Sequence, residues 1–398
     1  MSDQLIDAKQ LFGLTRIVLD DPEWIWFRDP QNYSPVLAKL GLDEGTYLDV
    51  WDEVTRVFPL HWARETHAKV TQGYGWTALH PPVLGWLEHH PVATFLATRP
   101  YGWATVAALL RLGLDLIRTR DLPRIQSLRV DLRNLDQYVG RLFELEVLSE
   151  FARRGWAPEI VGTPDFLFHI DGIEAYAEAR HRGAPFGMAL FRLVHPPMDA
   201  DWHLLKITLK RISGVQAEVG AIAGRINKDV ETILGTAHDS PTSIETDDYA
   251  IKHVAEGERR TIQLSYGRHE SYSSELEHLV LGTLQDKSAQ IKAVASKGYP
   301  SILLLDCRSL FSPEPRKPDD AHVANRARFM ASILGGGDRF LAENQWVSGI
   351  IWWWKRADWP LSLSEMIHEP PLISMTAADG RIESVDTAFV AAAFRGHE

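Results

Sequence analysis

The dipeptide Asp171-Gly172 constrains this chain more than any other pair of residues. Asp-Gly between β-branched and aromatic runs is a strong hairpin signal, because a type I′ turn needs positive φ at both central positions. The flanking runs, Asp165–Ile170 and Ile173–Ala179, have that composition. With a two-residue loop, Ile170 faces Ile173, and counting outward pairs Phe168 with Ala175, Phe166 with Ala177, and Asp165 with Glu178. Directly opposite residues share a face, with Cβ atoms about 4.5–5.5 Å apart. One face then collects Phe166, Phe168, Ile170, Ile173, Ala175, Ala177 and Ala179, which is a core pattern. The other sets two carboxylates side by side, and these repel unless a proton or a cation lies between them. A one-residue slip would break both patterns at once.

Arg180 lies two residues beyond Glu178, on the same face of the strand. Upstream, the run FELEVLSEFARRG reads as a helix, and its Glu144 lies eleven residues before Gly155. Glu146 and Glu150 are weaker acidic candidates on that helix. Pro164-Asp165 followed by Glu178-Ala179-Arg180 resembles the signature of the PD-(D/E)xK nuclease superfamily, with Arg where the motif has Lys. The resemblance covers residues 141–182 strictly and 130–360 loosely. It implies an α/β, restriction-endonuclease-like mixed sheet flanked by helices. It also implies metal-dependent hydrolysis of phosphodiester bonds in DNA, or RNA. Asp165 and Glu178 would bind Mg²⁺ or Mn²⁺, hard cations that prefer oxygen ligands. Glu144, on the preceding helix, would complete the metal site.

The departure at Arg180 matters, because the family's Lys positions the attacking water and stabilises charge on the phosphate. A guanidinium suits the second task, having a planar fork matched to phosphate. It cannot be a general base, because it does not deprotonate in proteins. Either a metal-activated water suffices, or a lysine comes from elsewhere, or the site does not cut. The segment Leu281–Asp306 offers that lysine. It reads as a helix carrying Leu284, Ile291, Val294 and Ala295, closed by Gly298 and Pro300, then the buried type of strand, Ser301–Asp306. Lys287 lies three residues after Leu284 and four before Ile291, so it borders the inward face. Lys287 is the candidate replacement, with Gln290 one turn on; Arg180, Arg182 and Gln290 are candidate substrate contacts, and His181 and Arg182 extend the polar end of the strand.

The rest of the chain frames this site. Residues 1–125 read as a mostly helical, Trp-rich region, with helices expected at Val36–Leu40, Tyr47–Phe58 and Ala104–Arg118 and breaks at His80-Pro81-Pro82 and His89-His90-Pro91. It is the expected surface for any protein partner. Its histidines, His61, His67, His80, His89 and His90, lack a metal spacing. The arginines Arg118, Arg120, Arg124, Arg129 and Arg133 are diluted by acids and read as a solvated helical face in preference to a phosphate-contacting ridge. Residues 126–360 read as the nuclease-like core, with an insertion around 183–260. In the core, one long helix from Ser127 to Gly155 precedes strands near 158, 165, 173, 301 and 347. Within the insertion, His203–Leu234 has helical spacing, Gly235–Glu258 reads as a loop and Thr261–Tyr266 as a strand. Ala324–Leu334 reads as a helix ended by Gly335-Gly336-Gly337, and residues 361–398 as a C-terminal extension.

A net charge of −11 argues against a general nucleic-acid coat, yet allows a nuclease with local basic surface, since acids concentrate in Asp239–Glu258. The single cysteine, Cys307, excludes an internal disulfide framework and fits a reducing cytoplasm; ending a buried-looking strand, it is a poor nucleophile. No apolar run reaches the roughly 18–20 residues of a membrane span, and the N-terminus lacks a signal-peptide design. Two rivals to the nuclease stand beside it. One is a catalytically inactive module of the same fold, binding nucleic acid or serving as a scaffold. The other is an interaction protein whose acidic hairpin is only surface, which Asp165 and Glu178 on opposite faces would favour.

Overall fold

A computed structural model describes residues 37–38, 40–72, 92, 103–134, 137–181, 203–210, 216–236, 243–256, 261–266, 269–310, 320–354 and 363–395. Helices α1 (Glu44–Val57), α2 (Leu60–Gln72), α3 (Trp103–Thr119), α4 (Ile125–Asp131) and α5 (Tyr138–Arg153) come first. Then come β1 (Glu159–Ile160), β2 (Phe166–Ile170) and β3 (Ile173–His181). β4 (His203–Leu209), α6 (Gln216–Thr236), β5 (Ser243–Glu245), β6 (Tyr249–Glu256) and β7 (Thr261–Tyr266) follow. The chain continues with α7 (His269–Ala295), β8 (Ser301–Asp306), α8 (Asp320–Glu343) and β9 (Gly349–Trp354). It closes with α9 (Leu363–His368), β10 (Leu372–Ala377), β11 (Ile382–Ser384) and α10 (Thr387–Arg395).

The protein is α/β, built on a mixed seven-stranded sheet in the order β1-β2-β3-β8-β9-β10-β11. The strands expected near 158, 165, 173, 301 and 347 all lie in it. The middle three, β3, β8 and β9, are parallel to their neighbours in that trio; the outer pairings are antiparallel. β8 and β9 are buried at every residue, as parallel strands are when both faces are covered. Alternate residues of these strands enter two cores. Ile302, Leu304, Ile351 and Trp353 join Phe143 and Val147 of α5, residues of α1 and α3, and Phe389 and Phe394 of α10. Leu303, Leu305, Ile350 and Trp352 join Leu276, Leu284 and Ile291 of α7 and Phe329, Ile333 and Phe340 of α8.

The hairpin forms in the expected register, Phe166 with Ala177, Phe168 with Ala175 and Ile170 with Ile173. Asp171 and Gly172 take φ of 48° and 78°, the left-handed pair that a type I′ turn requires. Beyond β2's first residue, β3 runs on without it and pairs with β8 alone, Glu178 beside Leu303 and His181 beside Asp306. The site lies at that fork.

Several sequence expectations are corrected. The helix read as continuous from Ser127 to Gly155 is two helices, α4 and α5. The Arg133 carbonyl accepts from Trp62 Nε1 at 3.0 Å and the Arg133 side chain donates to the Val57 carbonyl, so tertiary partners replace helical ones there. Residues 203–234 do not form one helix: β4 precedes α6. Residues 235–258 are not simply a loop, because β5 and β6 lie there, and β4–β7 make a second sheet in the order β5-β6-β4-β7. Gly335-Gly336-Gly337 does not end α8, which runs through to Glu343. Residues 363–395 are no appendage, since β10 and β11 complete the main sheet and α10 enters the core. Arg111 Nη1 donates to the Ile367 and Glu369 carbonyls at 3.2 and 2.6 Å, and Trp156 Nε1 to Thr387 Oγ1 at 3.1 Å, tying this segment to α3 and to the residues after α5.

Candidate active site

Three elements meet at the fork. The hairpin supplies the acid pair, side by side as the turn arithmetic requires. The Ala179 N–H donates to Asp165 Oδ2 at 2.9 Å, and the Asp165 N–H donates to Glu178 Oε2 at 3.2 Å. Each carboxylate thus braces the other's strand, which tells against a merely solvated surface. Glu178 is 1 % exposed. Its second oxygen, Oε1, accepts from the Lys287 ammonium, which α7 presents from the β8 side of the sheet. The lysine sought in the sequence therefore reaches the acid pair, from a helix turn whose apolar neighbours Leu284 and Ile291 are buried against the sheet. α5 supplies Glu144, half-buried, whose two oxygens accept from Arg141 Nη1 at 2.8 and 2.7 Å. Arg141 also pairs with Asp131 at 3.3 Å.

The electrostatics show that these groups share one field. Burial, then the Asp165 charge, pushes Glu144 up to about 7, with Arg141 and Lys287 opposing. Burial and Asp165 likewise push Glu178 up to about 7 against the pull of Lys287. Burial raises Asp165, while the Ala179 amide, Lys287 and Arg141 hold it down. Carboxyls crowded in this way favour protons unless another cation enters, the condition in which hard oxygen donors take a divalent ion. The donor chemistry of Asp165 and Glu178 fits Mg²⁺ or Mn²⁺. Yet among the described residues no group of three His, Cys, Asp or Glu converges to hold an ion as it stands. Lys287 and Arg141 occupy oxygens that such an ion would claim.

The remaining candidates divide. Arg180 is exposed on β3 beyond Glu178, and Gln290 is exposed on α7. Arg182 lies outside the described residues. Glu150 is not at the fork; it pairs with Arg153 and Arg154 at 2.7 Å. Cys307 is buried and its thiol is pushed well above the usual range by burial, as befits a packing residue. Arg129, read as part of a solvated face, is buried and pairs with Glu53 at 2.5 Å.

Two features escaped the sequence. Arg141 is one, although its i,i+3 spacing from Glu144 is the signal that could have found it. The other is a buried network at the carboxyl ends of β3 and β8. Asp306 accepts from Arg308 Nε and Nη2 at 2.8 Å each and pairs with His181 Nδ1 at 2.9 Å, while Arg308 Nη2 lies 2.6 Å from Glu146 Oε2. Burial works to raise Asp306, but Arg308 and His181 outweigh it and hold the carboxyl well below the usual range. The network locks α5, two residues from Glu144, to β3 and β8.

No protein-family model matches the chain, and no curated protein and no solved structure matches it. Among the described residues, no helix is long and apolar enough to cross a membrane.

Proposed function

We propose that the site at this fork hydrolyses phosphodiester bonds of DNA, or RNA, with a divalent metal, on a restriction-endonuclease-like core. One observation carries the reading: Lys287, remote in sequence, reaches Glu178, whose other oxygen accepts from the Asp165 amide. An acid pair with a lysine is the chemical set that the PD-(D/E)xK motif requires, and here a helix restores what Arg180 lacks. Helix α7 leading to buried strand β8, parallel to β3, supports the fold reading.

In this reading Asp165 and Glu178 would hold Mg²⁺ or Mn²⁺, with Glu144 as the third acid. The metal, when bound, supplies charge that offsets the phosphate and lowers the pKa of a water. Lys287, released from Glu178, would donate to a phosphoryl oxygen of the substrate. Arg180, free of partners among the described residues, clamps the phosphate as a fork. Arg141 keeps Glu144 at the edge of the site until substrate enters. The rival, a nucleic-acid-binding module that does not cut, is favoured by one finding: the protein's own cations already occupy the carboxylate oxygens.

Cleavage assays on single- and double-stranded DNA and RNA, with Mn²⁺, Mg²⁺ or EDTA, separate the two. The purified protein should cut only with metal, and Glu178→Ala and Lys287→Met should each lower the rate by about 10²-fold or more. Cutting that survives in Glu178→Ala, or a folded wild-type protein that never cuts, sinks the hydrolase reading.

A further inference from the structure

The small sheet carries a feature that its packing does not explain. Lys206 of β4 and Lys252 of β6 are direct cross-strand partners, and Ser243 of β5 lies beyond Lys252 in the same row. Both lysines are exposed. Neither has an ion-pair partner among the described residues. Like charges directly opposite destabilise an antiparallel pair. The nearest acids on these strands are committed elsewhere: Glu245 takes Lys210 at 2.9 Å and Asp248 takes Arg225 at 2.5 Å.

The lysines sit on the face away from α6. Ile207, Tyr249 and Ile251, at alternating positions, are buried on the other side, where Tyr249 Oη donates to Asp229 of α6 at 2.7 Å. The lysine face also carries Ser243, Thr208 and Ala250 and, opposite Ala250, Glu245, which is taken by Lys210. Two ammonium groups are rooted on this face about 5 Å apart. A locally costly lysine pair, on a face whose acid Glu245 is already taken by Lys210, leaves positive charge for a ligand to satisfy.

We propose that this face holds the sugar–phosphate backbone of a nucleic acid, outside the site at the fork. Phosphates satisfy both ammoniums without reading sequence. The choice of nucleic acid as the polyanion rests on the hydrolase reading of the fork.

The test uses the full chain and a labelled duplex and single strand, with EDTA present to block cutting. Affinity is measured from about 50 to 200 mM salt. Lys206→Gln/Lys252→Gln should bind more weakly and flatten the slope of log affinity against log salt by about 2, one per lost phosphate contact. Lys252→Glu places opposite charges across the strands, so it should bind more weakly with an unchanged or raised Tm, which separates binding from folding. An unchanged slope in the double variant, no binding by the wild-type protein, or binding only to phosphatidylserine vesicles overturns the proposal. If metal-dependent cutting is never seen but the double variant loses binding as stated, the sheet reading stands and the hydrolase reading falls. If cutting depends on Glu178 while the double variant binds like the wild type, the reverse holds.

Discussion

Glu178 divides its oxygens between the Lys287 ammonium and the Asp165 amide, so any change of proton or cation at the fork is felt by both strands of the hairpin. The raised carboxyls at the fork make a stability prediction. Glu144 and Glu178 titrate near 7 in the folded chain and near 4.5 when unfolded. Between those values the folded state holds more protons, so their contribution is present below about pH 4.5 and is lost as pH rises through about 7. Tm measured across that window in wild type and Glu144→Gln should show a shallower fall in the variant; parallel curves would refute the assignment. The acid pair was legible because a two-residue turn leaves one register. Lys287 was legible only as a residue bordering a helix's apolar stripe. The Asp306–Arg308 network was not, because an apolar run ending in Asp looks like any strand end.

Helix α8 shows why elements are harder to bound than to detect. Three glycines in a row read as a stop, yet two of them are where other elements come close. A Cβ on Gly337 would lie 2.4 Å from Trp352 Cζ2, and one on Gly336 would lie 2.7 Å from the Glu277 carbonyl. Trp352 cannot yield easily, since it is buried, stacked on Trp354 at 5.9 Å and bonded to Thr376 Oγ1 at 2.9 Å. Gly337→Ala should therefore cost about 1–3 kcal/mol through overpacking despite its better helix propensity. Gly335→Ala meets only the Glu277 carboxyl at 3.9 Å and should gain up to about 1 kcal/mol. Denaturant unfolding of the two variants gives opposite signs if the packing is as described. The α4–α5 break was invisible for a related reason: apolar spacing continues across it, while the partners that end α4, Trp62 and Val57, come from far upstream.

At the scale of the molecule, α1, α3, the sheet and the final segment share one hydrophobic core. The main sheet's existence was legible from short apolar runs. Its closure by β10 and β11 was not, because Leu372–Ala377 is short and gains its meaning only beside β9. Deleting residues 361–398 should leave the Trp352–Trp354 edge uncovered and yield aggregated or unfolded chain rather than a trimmed core, which circular dichroism and size-exclusion chromatography would report. The fork also carries a consequence for the order in which the chain folds. Asp165 and Glu178 are 13 residues apart and meet as soon as the hairpin closes, a microsecond event. Lys287 is 109 residues from Glu178 and arrives only with the slow, non-local pairing of β8 onto β3. While the chain is still being synthesised, the hairpin emerges with its acids unpaired, and the site gains its lysine only after α7 and β8 have left the ribosome.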